Sequence, residues 1–487
     1  MPVEFLGDEQ VAVFGRFVGA ASERDLARLC WFDDAALDLI GRHRRDVNRL
    51  GFAVQLATVR MLGTFLPDPT DVPDAVVDFV ADFVADQVGV ADRSMLAGYL
   101  ERDKTRYEHQ WEITEAFSYR PWSDPGAQLQ VRVFIASRAW TSPEGPTALF
   151  ERTVVWLREH KVLLPGVSVL ARLVSEVRTE RAERLYREVI VIAGPEMAAG
   201  LDGLLDVAAD SRVSELERLR TRPAQTSIAD LVHHVDRFLE IRDLGVGRLD
   251  LSSLPTGRIV GLARYGTISK AGALRDLSEV RRRATLIATV WVVTADAADD
   301  VCDAFDTRMS DRVVRKAARD TRVSRLRFLP RLLRAALRLA RAARVLLAVI
   351  NDSDIVGGDV RAALVRRLDL DELEAAAVTI EQGALADNDG DLASEMTRRF
   401  STVRAVLTVL AGADLFDATP AGAAVLDAVT DLPGLLEQRT IRPEMVDTSL
   451  LSPAWEQLVT DGNQIDRRAY TVAVGEALHR ALRRRDV

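Results

Sequence analysis

The sequence has 487 residues, of which 48% are hydrophobic, 28% charged and only 6% aromatic, a soluble globular composition with room for two to four domains. Lys and Arg number 64 against 73 Asp and Glu, a net charge of -9, so the chain as a whole is no polycation and any grip on nucleic acid has to come from local patches. Two cysteines far apart, Cys30 and Cys302, exclude a disulfide framework and fit a reducing compartment, each expected as a small buried apolar residue.

Taken in chain order, Ser22 followed by Asp25 reads as a helix-capping signal. From Asp34 to Thr64 apolar residues recur at helical spacing (Leu37, Ile40, Val47, Leu50, Val54, Leu56, Val59, Leu62), until Pro67, Asp68, Pro69 and Thr70 break the run. Amphipathic runs follow over Val76–Val90 and Ser94–Phe117, then a loop over Tyr119–Ala127 and helices over Gln128–Trp140, Thr147–His160 and Val167–Ile192. Gly194-Pro195 and Arg222-Pro223 are candidate boundaries. Beyond them come helices over Ser227–Leu244, Gly257–Tyr265 and Lys270–Ala297. The next begins near Ala298, runs to about Arg327, is interrupted by Pro330 and resumes to Ile350. Asp352–Gly358 reads as a linker, and the remainder as helices broken near Gly412, Pro420, Pro433 and Pro453. The fold class is all-α, with modules expected over 1–166, 167–297, 298–350 and 359–487.

No stretch at the start resembles a signal peptide, and the longest apolar runs, Leu286–Ala295 and Val345–Ile350, fall short of the roughly 18 residues of a membrane span. A cytoplasmic protein without a membrane partner is expected.

Positive charge is concentrated in three places. Between Arg308 and Arg344 there are thirteen basic residues, among them Arg312, Arg315, Lys316, Arg319 and Arg322, against Asp311 and Asp320 alone. Recurring three or four apart, they share one broad helical face and repel one another, a cost that an anionic partner would offset. A second cluster is Arg42-His43-Arg44-Arg45, followed by Asn48 and Arg49, types suited to base edges in a major groove. The third is Arg258, Arg264, Lys270, Arg275, Arg281, Arg282 and Arg283, against Asp276 and Glu279. Nine acidic residues and no basic ones lie between Asp369 and Glu395, a segment expected to keep away from phosphate and to face protein or solvent.

Catalytic and cofactor motifs fail on spacing. Gly245 and Gly247 are not followed by a dinucleotide-loop pattern, and there is no phosphate-loop lysine motif. With Gly390 as the sixth position of a calcium loop beside Asp387 and Asp389, the first and twelfth ligands would be Leu385 and Met396. Asp299, Asp300, Asp303 and Asp306 lie on one short helical stretch. A two-metal site draws carboxylates from separated elements, so helix N-terminal charge and solvation account for them better. The six histidines make no zinc pattern, and His109 reads as a core or hydrogen-bonding residue. No cofactor or metal is expected.

The segment Asn48-Arg49-Leu50-Gly51-Phe52-Ala53, with Gln55-Leu56, Arg60, Leu62-Gly63 and Phe65, resembles the signature that opens transposases of the Tn3 family. Tyr99, Arg102, Thr105, Arg106, His109, Glu112-Ile113 and Tyr119-Arg120 are similar to the family's next block, and Trp156-Leu157-Arg158 through Leu164-Pro165-Gly166 to the one after it. Leu254-Pro255, Arg258, Leu262-Ala263-Arg264-Tyr265 and Arg282-Arg283-Ala284 resemble its middle region. Trp455, Asp466-Arg467-Arg468-Ala469-Tyr470 and Leu482–Val487 resemble the stretch before its catalytic domain. One departure is Phe117-Ser118, where the family has a Leu-Gly-like turn.

The resemblance implies helical modules that bind the terminal inverted repeats of a transposon, then a dimerisation region (359–487 here). It also implies a ribonuclease-H-like domain with an Asp-Asp-Glu triad and magnesium, whose residues have no counterpart in this sequence. On that reading the chain is a truncated, non-catalytic front half and no enzyme. Its partners would be double-stranded DNA and a second copy or an intact transposase. DNA contact is expected at Arg42, Arg44, Arg45, Asn48, Arg49, Arg60, Arg102, Arg106, Arg258, Arg264, Arg281, Arg282, Arg283, Arg312, Arg315, Lys316, Arg319 and Arg322. The rival expectation is a protein that does not touch DNA and regulates intact transposase through residues after about 360.

Overall fold

The computed structural model describes residues 5–19, 22–88, 92–209, 211–224, 227–352, 354, 356–384, 388–413 and 415–487. Its described residues are mostly helical, with almost no strand. The one ladder is a hairpin pairing Thr460 with Ile465 and Asp461 with Gln464, turned through Gly462 at φ +62°. Isolated bridges join Arg120 to Val162 and Val207 to Ser214. The all-α expectation holds.

Contacts group the chain into two units. The first comprises Met1–Asp206 with Leu249–Thr289, the second Val207–Arg248 with Val290–Val487. The breaks expected at 166/167 and 297/298 fall inside these units.

In the first unit the Asp46–Leu62 helix is the central element, and its residues from Leu50 to Val59 are all buried. The helices Asp34–Gly41, Asp74–Val88 and Asp103–Ala116 and the 3-10 turn Arg93–Glu101 pack around it. Such a helix is held by burial on all sides, at about 1.5–3 kcal/mol per large side chain. Gly51 permits the closest approach, since a Cβ there would overlap the Tyr99 ring. The helix stops at Gly63, whose φ of +78° is the left-handed conformation that glycine adopts without strain. Beside this core, Pro125–Thr141, Pro146–Glu159 and Val167–Ala193 pack on one another around Val131, Ile135, Leu149, Leu157, Leu170 and Val174.

In the second unit the Arg467–Arg484 helix is the buried one, packed by Phe400–Ala411, Ala423–Glu437 and Pro453–Val459. The 36-residue Arg315–Ile350 helix lies against Leu370–Ala384 and Asn388–Thr397.

Several local expectations hold. Ser22 Oγ accepts from the Asp25 N–H at 3.1 Å, capping Glu23–Leu29. Cys30 is buried and Cys302 half-buried, both free thiols, and burial pushes each up to about 11.

Others need correction. The Asp34–Thr64 run is two helices, because the basic loop turns at 42–45 and packs His43 inward. Ser94–Phe117 is a 3-10 turn and a helix, divided at the extended Arg102. A helix begins at Pro125, inside the expected loop, because Asp124 caps it by accepting from the Gly126 N–H at 2.8 Å.

No helix starts near Ala298. Glu279–Arg308 is one helix, preceded by a short Ala271–Arg275 turn and followed by a π-helical turn at Met309–Val314. The four aspartates therefore sit far from its N-terminus, and three of them are held by basic partners rather than by the helix dipole. Asp300 meets Arg222 at 2.7 Å and Arg237 at 2.8 Å, Asp303 meets Arg222 at 3.1 Å, and Asp306 meets Arg483 at 2.8 Å.

Pro330 does not interrupt its helix. A proline there removes one hydrogen bond and costs about 3 kcal/mol, which packing offsets: Phe328 and Leu332, on either side of it, lie over Gly383. Pro433 is likewise carried inside Ala423–Glu437. Gly89 and Val90, Ser353 and Ile355 of the linker, and Leu385 and Asp387 of the rejected calcium loop lie outside the described residues.

Candidate nucleic-acid interface

The basic loop 42–45 sits at the N-terminus of the Asp46–Leu62 helix, and the packing beneath it is polar and tight. Tyr99 lies against Gly51, and its hydroxyl meets Gln55 Nε2 at 2.5 Å and His109 Nδ1 at 2.7 Å. The His43 ring packs, tilted, against both Phe52 and His109, ring centroids 4.8 and 4.4 Å away, with Glu112 at 3.5 Å. Burial drives His109 down to about 4, with His43 adding to it, and burial also lowers His43, so both rings are neutral at pH 7. The motif residues Gly51, Gln55, Tyr99 and His109 thus form one buried network.

The expected contact residues divide according to whether the protein already uses them. Arg49 is turned inward, with Nε on the His43 carbonyl at 2.7 Å and Nη1 on Asp46 at 3.2 Å. Arg60 donates to the Trp31 carbonyl at 2.6 Å and lies over the Phe32 and Phe117 rings. Arg106 donates to the Pro67 carbonyl at 2.5 Å and stacks on Tyr107. Arg282 and Arg283 both hold Asp202, at 2.8 and 2.9 Å. Arg315 pairs with Asp311 at 2.6 Å. Arg281 lies over Tyr265, and Arg258 is half-buried near it.

The rest face solvent. Arg42, Arg44 and Arg45 are exposed with no side-chain partner among the described residues, and Asn48 is half-buried on the adjoining first turn. The helix they flank has no side-chain cap, so its free N–H groups add positive potential at the same place. Arg102 and Arg264, on other elements, are exposed with no side-chain partner among the described residues. Arg312 on the π-helical turn and Lys316, Arg319 and Arg322 at the start of the long helix are exposed, with no side-chain partner among the described residues.

Acidic helices pack against that long helix. Arg325 meets Asp391 at 2.9 Å and Arg338 meets Glu372 at 3.8 Å. Part of the acidic segment therefore neutralises its own chain, and the arginines before 325 are left free of it.

Sequence reading missed Arg178. It lies among the mixed charges of Val167–Ala193, so no charge count singles it out, yet it lines the same cleft as Arg258 and Arg281.

A family model described as a domain of unknown function (DUF4158) matches residues 5–177. The transposase for transposon gamma-delta of Escherichia coli (strain K12) is 32% identical over 488 residues, covering 100% of this chain and 48% of the relative. The transposase for transposon Tn4556 of Streptomyces fradiae is 36% identical over 309 residues, 59% of this chain and 34% of that protein. For transposon Tn501 of Pseudomonas aeruginosa the identity is 28% over 468 residues, 96% and 46%. The chain spans about half the length of the curated relatives it matches.

The expectation of a non-enzyme is overturned. The proteins this chain matches from end to end are transposases about twice as long, and a missing triad within these residues does not define the activity. Along its whole length this chain is similar to curated transposases about twice as long.

Proposed function

We propose that this chain recognises duplex DNA at the terminal inverted repeats of a transposon and serves transposition. The observation that carries the reading is the trio Arg42, Arg44 and Arg45, exposed and without a side-chain partner among the described residues, at a helix N-terminus that has no side-chain cap, over a buried network. Rigid support matters because base readout needs guanidiniums placed to hydrogen-bond accuracy. Arg102, Arg264, Arg312, Lys316, Arg319 and Arg322 supply further phosphate contacts. Arg49, Arg60, Arg106, Arg282 and Arg283 hold the elements that present them.

Titrating purified chain into a labelled duplex bearing the transposon end, beside a scrambled duplex, tests this across a salt series. Tighter binding to the end sequence, with a steep salt dependence, is expected. Equal binding to both at 0.15 M salt ends the reading.

A protein partner is the second reading. Leu326, Leu329, Leu333 and Leu337 on the Arg315–Ile350 helix are 61%, 48%, 56% and 58% exposed. A second copy of the chain is the proposed occupant. Sedimentation equilibrium of the wild type and of Leu329→Gln/Leu333→Gln tests it, and a monomer in both excludes self-association.

A further inference from the structure

Within the first unit, Val167–Ala193, Thr256–Ile268 and the start of Glu279–Arg308 enclose a cleft of about 570 Å³, the size of a nucleotide-scale ligand site. Arg178, Arg258 and Arg281 converge on it. None of the three has a carboxylate partner among the described residues, and the Nε atoms of Arg178 and Arg281 are buried without a hydrogen bond. The one carboxylate lining the cleft, Glu183, is held by Arg187 at 3.1 Å. Burial and the neighbouring Arg178 both work against the charge on Arg258.

Three unpaired, partly desolvated guanidiniums in one concavity are costly for the protein alone. A bound anion would relieve that cost. Two tyrosines also line the cleft. Tyr265 carries Arg281 on its ring at 5.3 Å, which fixes that guanidinium, while Tyr186 is half-buried at the wall. A duplex backbone is convex and its bases are stacked inside, so a phosphate in this concavity beside an aromatic ring fits an unpaired strand better.

We infer that this cleft binds one unpaired nucleotide of a DNA strand, its phosphate on Arg178, Arg258 and Arg281 and its base against Tyr186. The inference rests on the proposal that the chain binds DNA, and it assigns a strand state to a place separate from the 42–45 loop. Phosphate capture by grouped arginines and base stacking on an aromatic side chain are the two components of single-strand binding.

The test uses the full chain, a fluorescent eight-nucleotide oligothymidylate and, in parallel, the labelled transposon-end duplex. Wild type should bind the oligothymidylate, and inorganic pyrophosphate should compete. Arg258→Gln should weaken it and lower the log–log salt slope by about 0.7. Tyr186→Leu, which keeps every guanidinium, should weaken it roughly tenfold, with duplex affinity unchanged in both variants. Should Arg258→Gln not fold, Arg178→Gln and Tyr186→Leu decide. Wild-type duplex binding without oligothymidylate binding, or oligothymidylate binding untouched by Tyr186→Leu and the folded arginine variants, overturns the inference and leaves the duplex reading standing. Loss of specific duplex binding in the wild type strikes the function proposal instead.

Discussion

The 42–45 loop and the Arg315–Ile350 helix are both rich in arginine, and they use the charge differently. The loop keeps three guanidiniums free on a buried scaffold of Gly51, Gln55, Tyr99 and His109. The long helix gives Arg325 and Arg338 to Asp391 and Glu372, so part of its charge is spent within the fold. Counting arginines therefore overstates the second region and understates the first. What reaches a ligand is the charge left over after the fold has taken its share.

The largest effect should come from removing the loop's free charge. If Arg42, Arg44 and Arg45 each neutralise a phosphate, the triple alanine variant flattens the log–log salt slope by about 2.7 and loses roughly 10³-fold affinity near 50 mM salt. Fluorescence anisotropy with the end duplex measures both. An unchanged slope would mean that the loop faces away from DNA and that the contrast between the two regions is misdrawn.

Next in size is the pH response of the scaffold under the loop. His109 titrates near 6.5 in the unfolded chain and at about 4 when folded. The folded form then binds fewer protons, so its stability is complete above pH 6.5 and declines as pH drops toward 4. The decline should reach on the order of 3 kcal/mol. Urea midpoints of the first unit's transition between pH 7 and 4 measure it, and His109→Gln should remove most of the slope. A wild-type midpoint that is flat over this range would show that the buried histidine pair does not hold the loop.

A smaller effect is expected in the long helix. Asp391→Asn with Glu372→Gln removes the negative charges that face Arg325 and Arg338, so scrambled-duplex affinity should rise roughly three- to tenfold at low salt. Stability should change by less than about 1 kcal/mol, as for exposed ion pairs generally. Filter binding and thermal melts separate the two. Unaltered affinity would mean that these arginines point away from any bound duplex.

The all-α class was legible from periodicity because burial follows helical spacing wherever one face is apolar, as in Val167–Ala193. Breaks were less legible. Pro330 and Pro433 look like stops, but tertiary packing outweighs one lost hydrogen bond, and a sequence does not display its packing partners. The division of arginines into free and engaged was not legible at all. Arg60 ends in an aromatic cage formed by Phe32, from before the helix, and Phe117, from far beyond it. Arg282 and Arg283 reach Asp202, some eighty positions earlier. Arg178 carries no local signal, because its meeting with Arg258 and Arg281 is made by the fold.

The smallest predicted effect bears on the edge of the loop's scaffold. Ser118 follows the Asp103–Ala116 helix at φ +57°, a left-handed conformation that costs a residue with a Cβ about 1–2 kcal/mol and a glycine little. The backbone at this turn keeps a glycine's geometry without the glycine. Two backbone bonds hold it there, Ser118 N–H to Glu115 O at 3.2 Å and Tyr119 N–H to Thr114 O at 2.9 Å. Relief of strain in Ser118→Gly is partly cancelled by the greater freedom of glycine in the unfolded chain. A net gain of about 0.5 kcal/mol, seen as a rise in the urea midpoint with DNA affinity unchanged, is expected. A loss of stability would mean that the serine makes up its strain through contacts of its own, and the turn would then belong to the scaffold rather than merely close it.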